Sequence, residues 1–207
     1  MIFQPHIEDY LMQVTPEREA IVREMEAYAA TEGFPIVGPL VGRLLFQMAR
    51  AIGANKVLEL GSGFGYSAWW LARAIGDRGY ITMTDNSEDN RRLALDYLKR
   101  GGIRTGIDYR VGDALRILSQ LDTEYDFILN DIDKDRYPDT IDPVAERLRP
   151  GGLFVTDNLL WSGRVCEEPK DEATLGVVEF TRRLYSDPRF FTTILPLRDG
   201  LAMAIRL

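Results

Sequence analysis

The chain has little of several residue types, and each scarcity excludes a class of protein. Among 207 residues there is one cysteine, Cys166, so no disulfide can form within the chain, and a reducing compartment is expected. No apolar run approaches the roughly 20 residues that a helix needs to span a bilayer. The first residues also lack the basic segment and apolar core of a signal peptide. We therefore expect a cytoplasmic protein that is not embedded in a membrane.

Positive charge is also scarce, because 25 lysines and arginines stand against 32 acidic residues and leave a net charge of −7. This balance argues against general binding to a nucleic-acid backbone, which needs clustered basic side chains, although it leaves room for one local basic patch. The length and the 45% hydrophobic content fit one domain with a substantial core. We expect a single domain over 1–207, in which 1–53 form a helical extension or cap and 54–207 form the core.

One stretch organises the rest of the chain. Val57–Leu60 is a short apolar run without polar alternation, which predicts a buried parallel strand. Gly61, Gly63 and Gly65 follow it, and Tyr66–Ile75 then has the length and composition of a helix. A strand, a glycine turn and a helix in this order are typical of a nucleotide site in an α/β sheet, because glycine lets the backbone approach a ligand closely. This interpretation is favoured over a plain tight turn.

The details of this stretch favour a positively charged ligand. The glycine spacing is G-x-G-x-G, so the dinucleotide fingerprint G-x-G-x-x-G is not met. Glu59 adds negative charge where a pyrophosphate would bind, which disfavours a dinucleotide and suits S-adenosylmethionine. Asp85, at the end of the second predicted strand, is expected to accept hydrogen bonds from ribose hydroxyls. The alternative role, a helix cap, is already filled by Ser87.

The remaining pattern predicts a doubly wound α/β fold. Strand and helix patterns alternate as far as the fifth strand, and Asp199-Gly200 then separates two strand-like runs, which indicates a terminal hairpin. Thr15-Pro16-Glu17 is a helix start signal for the N-terminal segment, which is helical over 1–33. A helix is also predicted from about Tyr137 to Leu148, ended by Pro150-Gly151-Gly152.

Acidic residues follow two neighbouring predicted strands. Asp131 comes after the fourth strand, and Asp157 and Asn158 come after the fifth, at the sheet edge that carries the glycine turn. Two carboxylates and an amide oxygen are suitable ligands for a divalent cation, with Mg²⁺ expected before Mn²⁺ or Ca²⁺. Lys134 lies beside them, and a lysine near a divalent cation can act as a base, because the charge of the cation favours its neutral form. A surface lysine paired with a neighbouring aspartate is the alternative.

Three segments together resemble a known family. They are Glu59-Leu-Gly-Ser-Gly-Phe-Gly-Tyr-Ser67, Asp131-Ile-Asp-Lys-Asp-Arg-Tyr137 and Asp157-Asn-Leu-Leu-Trp-Ser-Gly163. In order and spacing they are similar to the cation-dependent O-methyltransferases, which include catechol and caffeoyl-CoA O-methyltransferases. The resemblance implies a Rossmann-like class I methyltransferase fold of the α/β class. It has a mostly parallel seven-stranded sheet, helices on both faces and a C-terminal antiparallel hairpin. It also implies a homodimer.

The resemblance assigns roles to the matching positions. The S-adenosylmethionine site would be lined by Glu59, Gly61, Gly63, Ser67, Asp85 on the ribose, Ala114 near the adenine, Asp131 and Asp133, with Val37 contributing backbone atoms. The divalent cation would be held by Asp131, Asp157 and Asn158, and Lys134 would be the catalytic base. Without the resemblance, Gly112-Asp113-Ala114 could equally be a helix cap.

The expected substrate is a small phenol with two neighbouring hydroxyls, because the cation would bind both oxygens. Trp161 and Arg164 are candidates for the substrate mouth, although core packing and a surface charge explain them equally well. Two positions depart from the family pattern. Family members often carry an acidic or apolar residue at the position of Asn130, and alanine at that of Ile132. No counterpart is evident for the acid that orients the second hydroxyl in animal catechol enzymes.

Three other functions compete with this one. An RNA-modifying member of the same family would methylate a hydroxylated uridine in tRNA and would need a basic face. The candidates for such a face are Arg91, Arg92, Lys99, Arg100 and Arg104, which read as a solvated helix face. A nicotinamide oxidoreductase is disfavoured by Glu59, by the glycine spacing and by the terminal hairpin. A non-catalytic binding protein would not explain Lys134 together with the metal ligands.

Overall fold

The computed structural model describes residues 5–207, in which helices and strands alternate. The strands are β1 (Lys56–Leu60), β2 (Tyr80–Asp85), β3 (Gly106–Val111), β4 (Tyr125–Asn130), β5 (Leu148–Thr156), β6 (Phe190–Leu195) and β7 (Leu201–Arg206). The α-helices are α1 (Pro5–Val14), α2 (Ala20–Glu32), α3 (Gly38–Ala51), α4 (Tyr66–Ile75), α5 (Glu88–Arg100), α6 (Ala114–Ser119), α7 (Ile141–Arg147) and α8 (Glu172–Ser186). None of these helices is both long and apolar enough to cross a membrane.

The strands form one mixed sheet in the order β3-β2-β1-β4-β5-β7-β6. The first five strands are parallel, and β7 runs antiparallel to both β5 and β6. This confirms the predicted fold, including the hairpin at Asp199-Gly200. Because β1 pairs in register with β2 and β4, the carboxyl ends of these strands lie at one edge of the sheet. The motifs that follow them are therefore brought together.

Two hydrophobic clusters cover the two faces of the sheet, because side chains alternate along each strand. Val57 of β1 belongs to the cluster that packs under α2, α3, α4 and α5. Its neighbour Leu58 belongs to the cluster under α6, α7 and α8. The N-terminal helices thus share a core with the sheet. Val22 and Met25 of α2 are buried there.

The start predicted for the second helix is wrong. The helix begins at Ala20 and not at Thr15-Pro16-Glu17. The hydroxyl of Thr15 donates to the carbonyl of Leu11 at 2.7 Å, so it closes α1 and does not cap α2. The end of α2 at Gly33 is confirmed, since this residue adopts a left-handed conformation with φ of 65°. Residues 1–4 of the helical segment predicted over 1–33 lie outside the described residues.

The helix predicted from Tyr137 to Leu148 is also partly wrong. Its first half is a 3-10 helix, Lys134–Thr140, and only Ile141–Arg147 is α-helical. Pro138 lies inside the 3-10 segment, and its missing N–H explains why an α-helix cannot run through. Leu148 already belongs to β5, and the predicted stop at 150–152 lies within that strand, opposite a bulge in its pairing with β4.

Helices α3 and α4 approach each other closely at Gly42. A β-carbon on this residue would overlap the indole Nε1 of Trp70. Both residues are buried, and α3 begins where the loop 33–37 ends. The absence of a side chain at Gly42 therefore sets the position of that loop relative to α4 and to the glycine turn that precedes α4.

We expect Gly42→Ala to lower the free energy of unfolding by about 1–3 kcal/mol, because the Trp70 ring must move out of its packed position. The better helix propensity of alanine offsets at most about 1 kcal/mol of this loss. Urea denaturation measures the change. Gln47→Ala, on the exposed face of α3, is the control and should stay within about 0.5 kcal/mol of the wild type. Equal stability of the wild type and Gly42→Ala would contradict this packing.

Candidate active site

A cleft of about 710 Å³ lies at the carboxyl edge of the sheet. It is bounded by the glycine turn, the loop 33–37, the ends of β2, β4 and β5, and the turn between β6 and β7. The structure places eleven of the predicted site residues in its lining: Val37, Gly61, Gly63, Ser67, Asp85, Ala114, Asp131, Asp133, Lys134, Asp157 and Asn158. Three others, Glu59, Trp161 and Arg164, do not line it.

The glycine turn after β1 needs glycine for two separate reasons. Gly61, Gly63 and Gly65 have φ angles of 83°, 49° and 87°, which other residues rarely adopt. In addition, a β-carbon on Gly61 would overlap the carbonyl oxygen of Asp131, and one on Gly63 would lie 2.9 Å from the Phe34 ring. The turn is therefore pressed between the end of β4 and the loop 33–37.

Glu59 lies one residue inside this turn and is completely buried. Within residues 5–207, neither of its carboxylate oxygens has a hydrogen-bond partner. Burial raises the pKa of Glu59 to about 8, and the nearby hydroxyls of Ser67 and Ser62 oppose this shift only in part. The described residues thus hold an uncompensated acid directly behind the glycine turn, where a cationic ligand would compensate it.

Asp85 stabilises the same turn by hydrogen bonds. One of its carboxylate oxygens accepts a hydrogen bond from the Gly63 N–H at 3.1 Å. The other accepts from the Ser87 N–H at 2.8 Å and from the Asn90 side chain at 2.9 Å, near the start of α5. Ser87 caps α5 through the Asn90 N–H at 3.2 Å, as predicted. Asp85 therefore stabilises both turn and helix start while it lines the cleft, and its role toward a ribose stays a prediction.

Two aromatic residues near the turn were not predicted as part of the site. The Tyr109 hydroxyl donates to the Gly63 carbonyl at 2.6 Å, from a position on β3. The Phe34 ring lines the cleft and packs edge-to-face on Phe64, with 5.0 Å between ring centroids. A proline on either side of Ile36-Val37 signals a stiff loop, but no spacing rule links Phe34 to a glycine 29 positions later.

The acidic side of the cleft is built around Asp131 and Lys134. The Lys134 Nζ donates to Asp131 Oδ1 at 2.8 Å and to the Ile132 carbonyl at 3.2 Å. It also lies 5.3 Å from the Tyr137 ring centroid and 5.9 Å from that of Trp161. The ammonium group is thus held near the carboxyl end of β4 by one carboxylate and two aromatic rings.

Asp157 faces the same region from the end of β5 and is only 5% exposed. Burial and the negative charge of Asp131 raise its pKa to about 7, although the Asn158 N–H and the positive charges of Arg198 and Lys134 oppose the shift. Tyr137 donates from its hydroxyl to the Asp157 carbonyl at 3.1 Å. Two mutually repelling carboxylates are therefore held in place by the fold.

Asn158 and Asp199 connect the loop after β5 to the final hairpin. Asn158 has a φ of 61°, and its side-chain amide lies 3.5 Å from the Asp199 carboxylate. Asp199 also accepts from the Ser162 N–H at 2.5 Å. Sequence reasoning assigned Asp199 only to the hairpin turn, because its partners are about 40 positions away. Its N–H···O contact directs the amide nitrogen of Asn158 to Asp199 and leaves the amide oxygen available.

Trp161 and Arg164 stand beside the cleft. Trp161 is half-buried against the second hydrophobic cluster, and its indole nitrogen is buried with no partner among residues 5–207. Arg164 is exposed, covers the Trp161 ring at 5.5 Å and lies 3.7 Å from Asp171. The structure thus shows core packing for Trp161 and a surface charge for Arg164, whereas a substrate role stays a prediction for both.

A cation site can be judged only from the chemistry of the donors. Residues 5–207 contain no group of three or more His, Cys, Asp or Glu side chains placed to hold a metal. The predicted ligand set has only two carboxylates, and its third member is the amide of Asn158, so it is not a group of this kind. Oxygen donors of this kind are what Mg²⁺ uses, with water and substrate as further ligands. The cation site stays a prediction at this point.

Comparison with known proteins identifies the family. The sequence model of the O-methyltransferase family matches residues 17–207. Caffeoyl-CoA O-methyltransferase 1 of Eucalyptus globulus is 34% identical over 180 residues, which cover 80% of this chain and 72% of the relative. A putative O-methyltransferase of Mycolicibacterium vanbaalenii is 31% identical over 191 residues, with 91% and 84% covered.

Solved structures agree with this result. The O-methyltransferase of Bacillus cereus in complex with SAH has a TM-score of 0.89 and 26% identity, covering 98% of this chain and 97% of that one. TomG of Streptomyces achromogenes, an O-methyltransferase in complex with SAM, has a TM-score of 0.90 and 25% identity, covering 97% and 96%. The fold is that of the class I methyltransferases. The chain belongs to the O-methyltransferase family, as its three motifs predict, and it is an O-methyltransferase.

Proposed function

We propose that this protein transfers a methyl group from S-adenosylmethionine to a hydroxyl of a small aromatic with two neighbouring hydroxyls, with the help of a divalent cation. Mg²⁺ is proposed before Mn²⁺ or Ca²⁺. The observation that carries the proposal is the convergence of Asp131, Lys134 and Asp157 in the cleft that also contains the glycine turn. A lysine that could serve as a base, two carboxylates of the kind that bind metals and a turn of the kind that binds nucleotides thus line one cavity.

The cofactor half of the proposal rests on the residues around the glycine turn. Among the described residues, the buried Glu59 carboxyl has no hydrogen-bond partner, and a positively charged cofactor nearby would favour its ionised form. The turn itself offers a backbone surface without side chains, and Asp85 and Ala114 line the cleft farther along the sheet edge. Val37 and Ser67 line it on the side of the loop 33–37. These residues would bind and orient the cofactor.

The cation half of the proposal rests on the carboxylates. Asp131 and Asp157 repel each other, and a divalent cation would relieve this repulsion better than Lys134 does alone. Asn158 would add its amide oxygen, which the contact with Asp199 leaves available. When bound, the cofactor supplies an electrophilic methyl group and the cation supplies positive charge that lowers the pKa of the acceptor hydroxyl.

Lys134 would accept the acceptor's proton at its Nζ, after its ammonium form has given one proton to water. It must then leave Asp131, to which it now donates at 2.8 Å, so cation binding and release of the lysine belong together. The acceptor oxygen then forms the new O–CH₃ bond as the S–CH₃ bond breaks, and the electron pair of that bond stays on sulfur. The protein contributes chiefly by orienting the reactants in line.

Methylation of a hydroxylated uridine in tRNA is the second candidate, and the charges on α5 and in the loop after it disfavour it. Four of the five basic residues that could form an RNA-binding face are paired with acids: Arg91 with Glu88, Arg92 with Asp89, Arg100 with Glu24 and Asp96, and Arg104 with Asp77. Their positive charge is therefore largely compensated. Salt-dependent RNA binding would revive this candidate. A homodimer and a cytoplasmic location stay predictions.

We expect Asp157→Asn to abolish cation-dependent methylation of catechols, because it removes one of two anionic donors. The measurement is turnover of S-adenosylmethionine with a catechol panel in Mg²⁺ and in EDTA, together with Mn²⁺ binding by calorimetry. A loss of at least tenfold in Mn²⁺ affinity is expected, since second-shell changes alone cost about 10–100-fold.

Asp135→Asn is the matched control, because Asp135 is exposed on the same acidic segment and does not line the cleft. It should leave turnover and Mn²⁺ affinity unchanged. Turnover of the wild type that persists undiminished in EDTA would refute the role of the cation. Binding of the cofactor without methylation of any phenol would direct the search to modified RNA.

We expect Glu59→Gln to stabilise the protein at pH 8 and to weaken cofactor binding. The pKa of Glu59 lies above its ordinary value of 4.5, at about 8. The unfolded chain therefore loses this proton at lower pH than the folded protein, and wild-type stability falls as pH rises from 4.5 to 8. The variant does not lose unfolding free energy over this pH range. The wild type loses about 1.4 kcal/mol per pH unit, which amounts to a few kcal/mol in all.

Thermal unfolding at pH 4.5 and pH 8, with and without S-adenosylmethionine, measures both effects. Glu59→Gln should match the wild type at pH 4.5, exceed it at pH 8 and gain less from the cofactor. Glu124→Gln, at an exposed position, is the control for the loss of one negative charge. A variant that is destabilised at pH 8, or that gains as much as the wild type from the cofactor, would contradict the assigned role.

A further inference from the structure

Arg198 lies in the turn between β6 and β7, in a backbone conformation that few residues adopt. Its φ is 50°, and within the described residues only Asn158, Trp161 and Ser162 are other non-glycine residues with positive φ. All four lie in the two loops that flank the end of β5. The left-handed conformation is unfavourable for an arginine, so the surrounding contacts must hold it there.

Those contacts fix the arginine side chain across the cleft entrance. Its Nη1 donates to the Ile36 carbonyl at 2.6 Å, 162 positions away in the chain. The same nitrogen would lie 2.9 Å from a β-carbon on Gly38, so the guanidinium is packed against the start of α3. Arg198 thereby joins the final hairpin to the loop 33–37, and its guanidinium has a defined place.

Arg198 is also the uncompensated cation of the cleft. Two basic residues occur among the described residues that line it, and the other one, Lys134, is paired with Asp131. Arg198 has no carboxylate within ion-pair distance in residues 5–207, although its charge acts on Asp157. A guanidinium has five N–H donors, and the Ile36 carbonyl uses one of them. Several charged donors thus remain at the cleft.

We propose that Arg198 binds an anionic group on the methyl acceptor, so that the protein prefers acidic dihydroxy aromatics to neutral catechols. This inference rests on the proposed function and adds the substrate class. The other charges of the cleft are mostly carboxylates, which repel an acidic acceptor, and Arg198 offsets that repulsion at one place. A planar guanidinium matches a carboxylate in shape and can form two parallel hydrogen bonds with it.

Two chemical classes of acceptor carry such a group. A dihydroxybenzoic or dihydroxycinnamic acid carries a carboxylate on the aromatic part. A coenzyme A thioester of such an acid lacks the free carboxylate but carries phosphates at a distance. Arg198 would recognise the anion in either case, and the choice of acceptors in the experiment separates the two sources.

The test compares kcat/KM of the wild type and Arg198→Gln for matched acceptors. The acids are 3,4-dihydroxybenzoate and caffeate, the neutral partners are 3,4-dihydroxybenzaldehyde and methyl caffeate, and caffeoyl-CoA is the thioester. Glutamine keeps an uncharged N–H donor but removes the charge, and its side chain is shorter than that of arginine. We expect a loss of about 10–100-fold for the anionic acceptors, since hydrogen bonds to charged groups contribute about 1.5–3 kcal/mol. Neutral acceptors should change less than about twofold.

Arg78→Gln is the control for a general loss of positive charge, because Arg78 is exposed in the turn before β2 and does not line the cleft. It should leave all the ratios unchanged. A selective loss with the free acids assigns the anion to the carboxylate, and a loss confined to caffeoyl-CoA assigns it to the phosphates. Equal losses with acidic and neutral acceptors would overturn the proposal and leave Arg198 as a structural contact only. A higher KM for S-adenosylmethionine with unchanged acceptor ratios would also overturn it.

Failure of the proposed function gives a different result. If the wild type methylates none of these phenols, the acceptor class is wrong, whatever Arg198 does. Calorimetric binding of 3,4-dihydroxybenzoate and 3,4-dihydroxybenzaldehyde, with Mg²⁺ and S-adenosylhomocysteine present, then tests Arg198 without turnover. Tighter binding of the acid by the wild type, lost in Arg198→Gln, supports the inference. Absence of that difference refutes it.

Discussion

The site depends on the close approach of two backbones at the carboxyl edge of the sheet. Gly61, in the turn after β1, lies so near the carbonyl of Asp131 that no side chain fits between them. Parallel pairing of β1 with β4 creates this approach, and the missing side chain permits it. As a result, the turn that suits a nucleotide-type cofactor and the acidic loop that suits a cation form adjoining walls of one cleft.

The same edge carries polar groups that weaken the folded state. In the part of the chain that the structure describes, Glu59 is buried without a partner. Asn130 and Thr156, which face each other across β4 and β5, also bury polar atoms without hydrogen bonds there. Such groups cost free energy unless a ligand or a water satisfies them. Concentration of these costs around the cleft is typical of a site adapted to ligands and not to stability.

The sequence predicted the sheet well, because its signals are local or follow from simple topology. Short apolar runs gave the strands, and Asp199-Gly200 gave the hairpin. The wrong helix starts have local causes of a different kind. Thr15 could cap the helix after it or close the helix before it, and the Leu11 carbonyl decided the choice. Pro138 lies within the predicted helix, but it has no N–H to donate, and the segment around it is a 3-10 helix and not an α-helix.

By itself, the sequence determined the fold, the family and part of the cleft lining, because glycine spacing and acidic strand ends have a fixed place in a parallel sheet. Only the tertiary structure decided how these residues are held. Asp199 reaches Asn158 across 41 positions, and Arg198 reaches Ile36 across 162, through loops whose paths no periodicity specifies. The tertiary structure also left Glu59, Trp161 and Arg164 outside the lining. Contacts between distant loops depend on how the whole chain packs, and local patterns do not encode that packing.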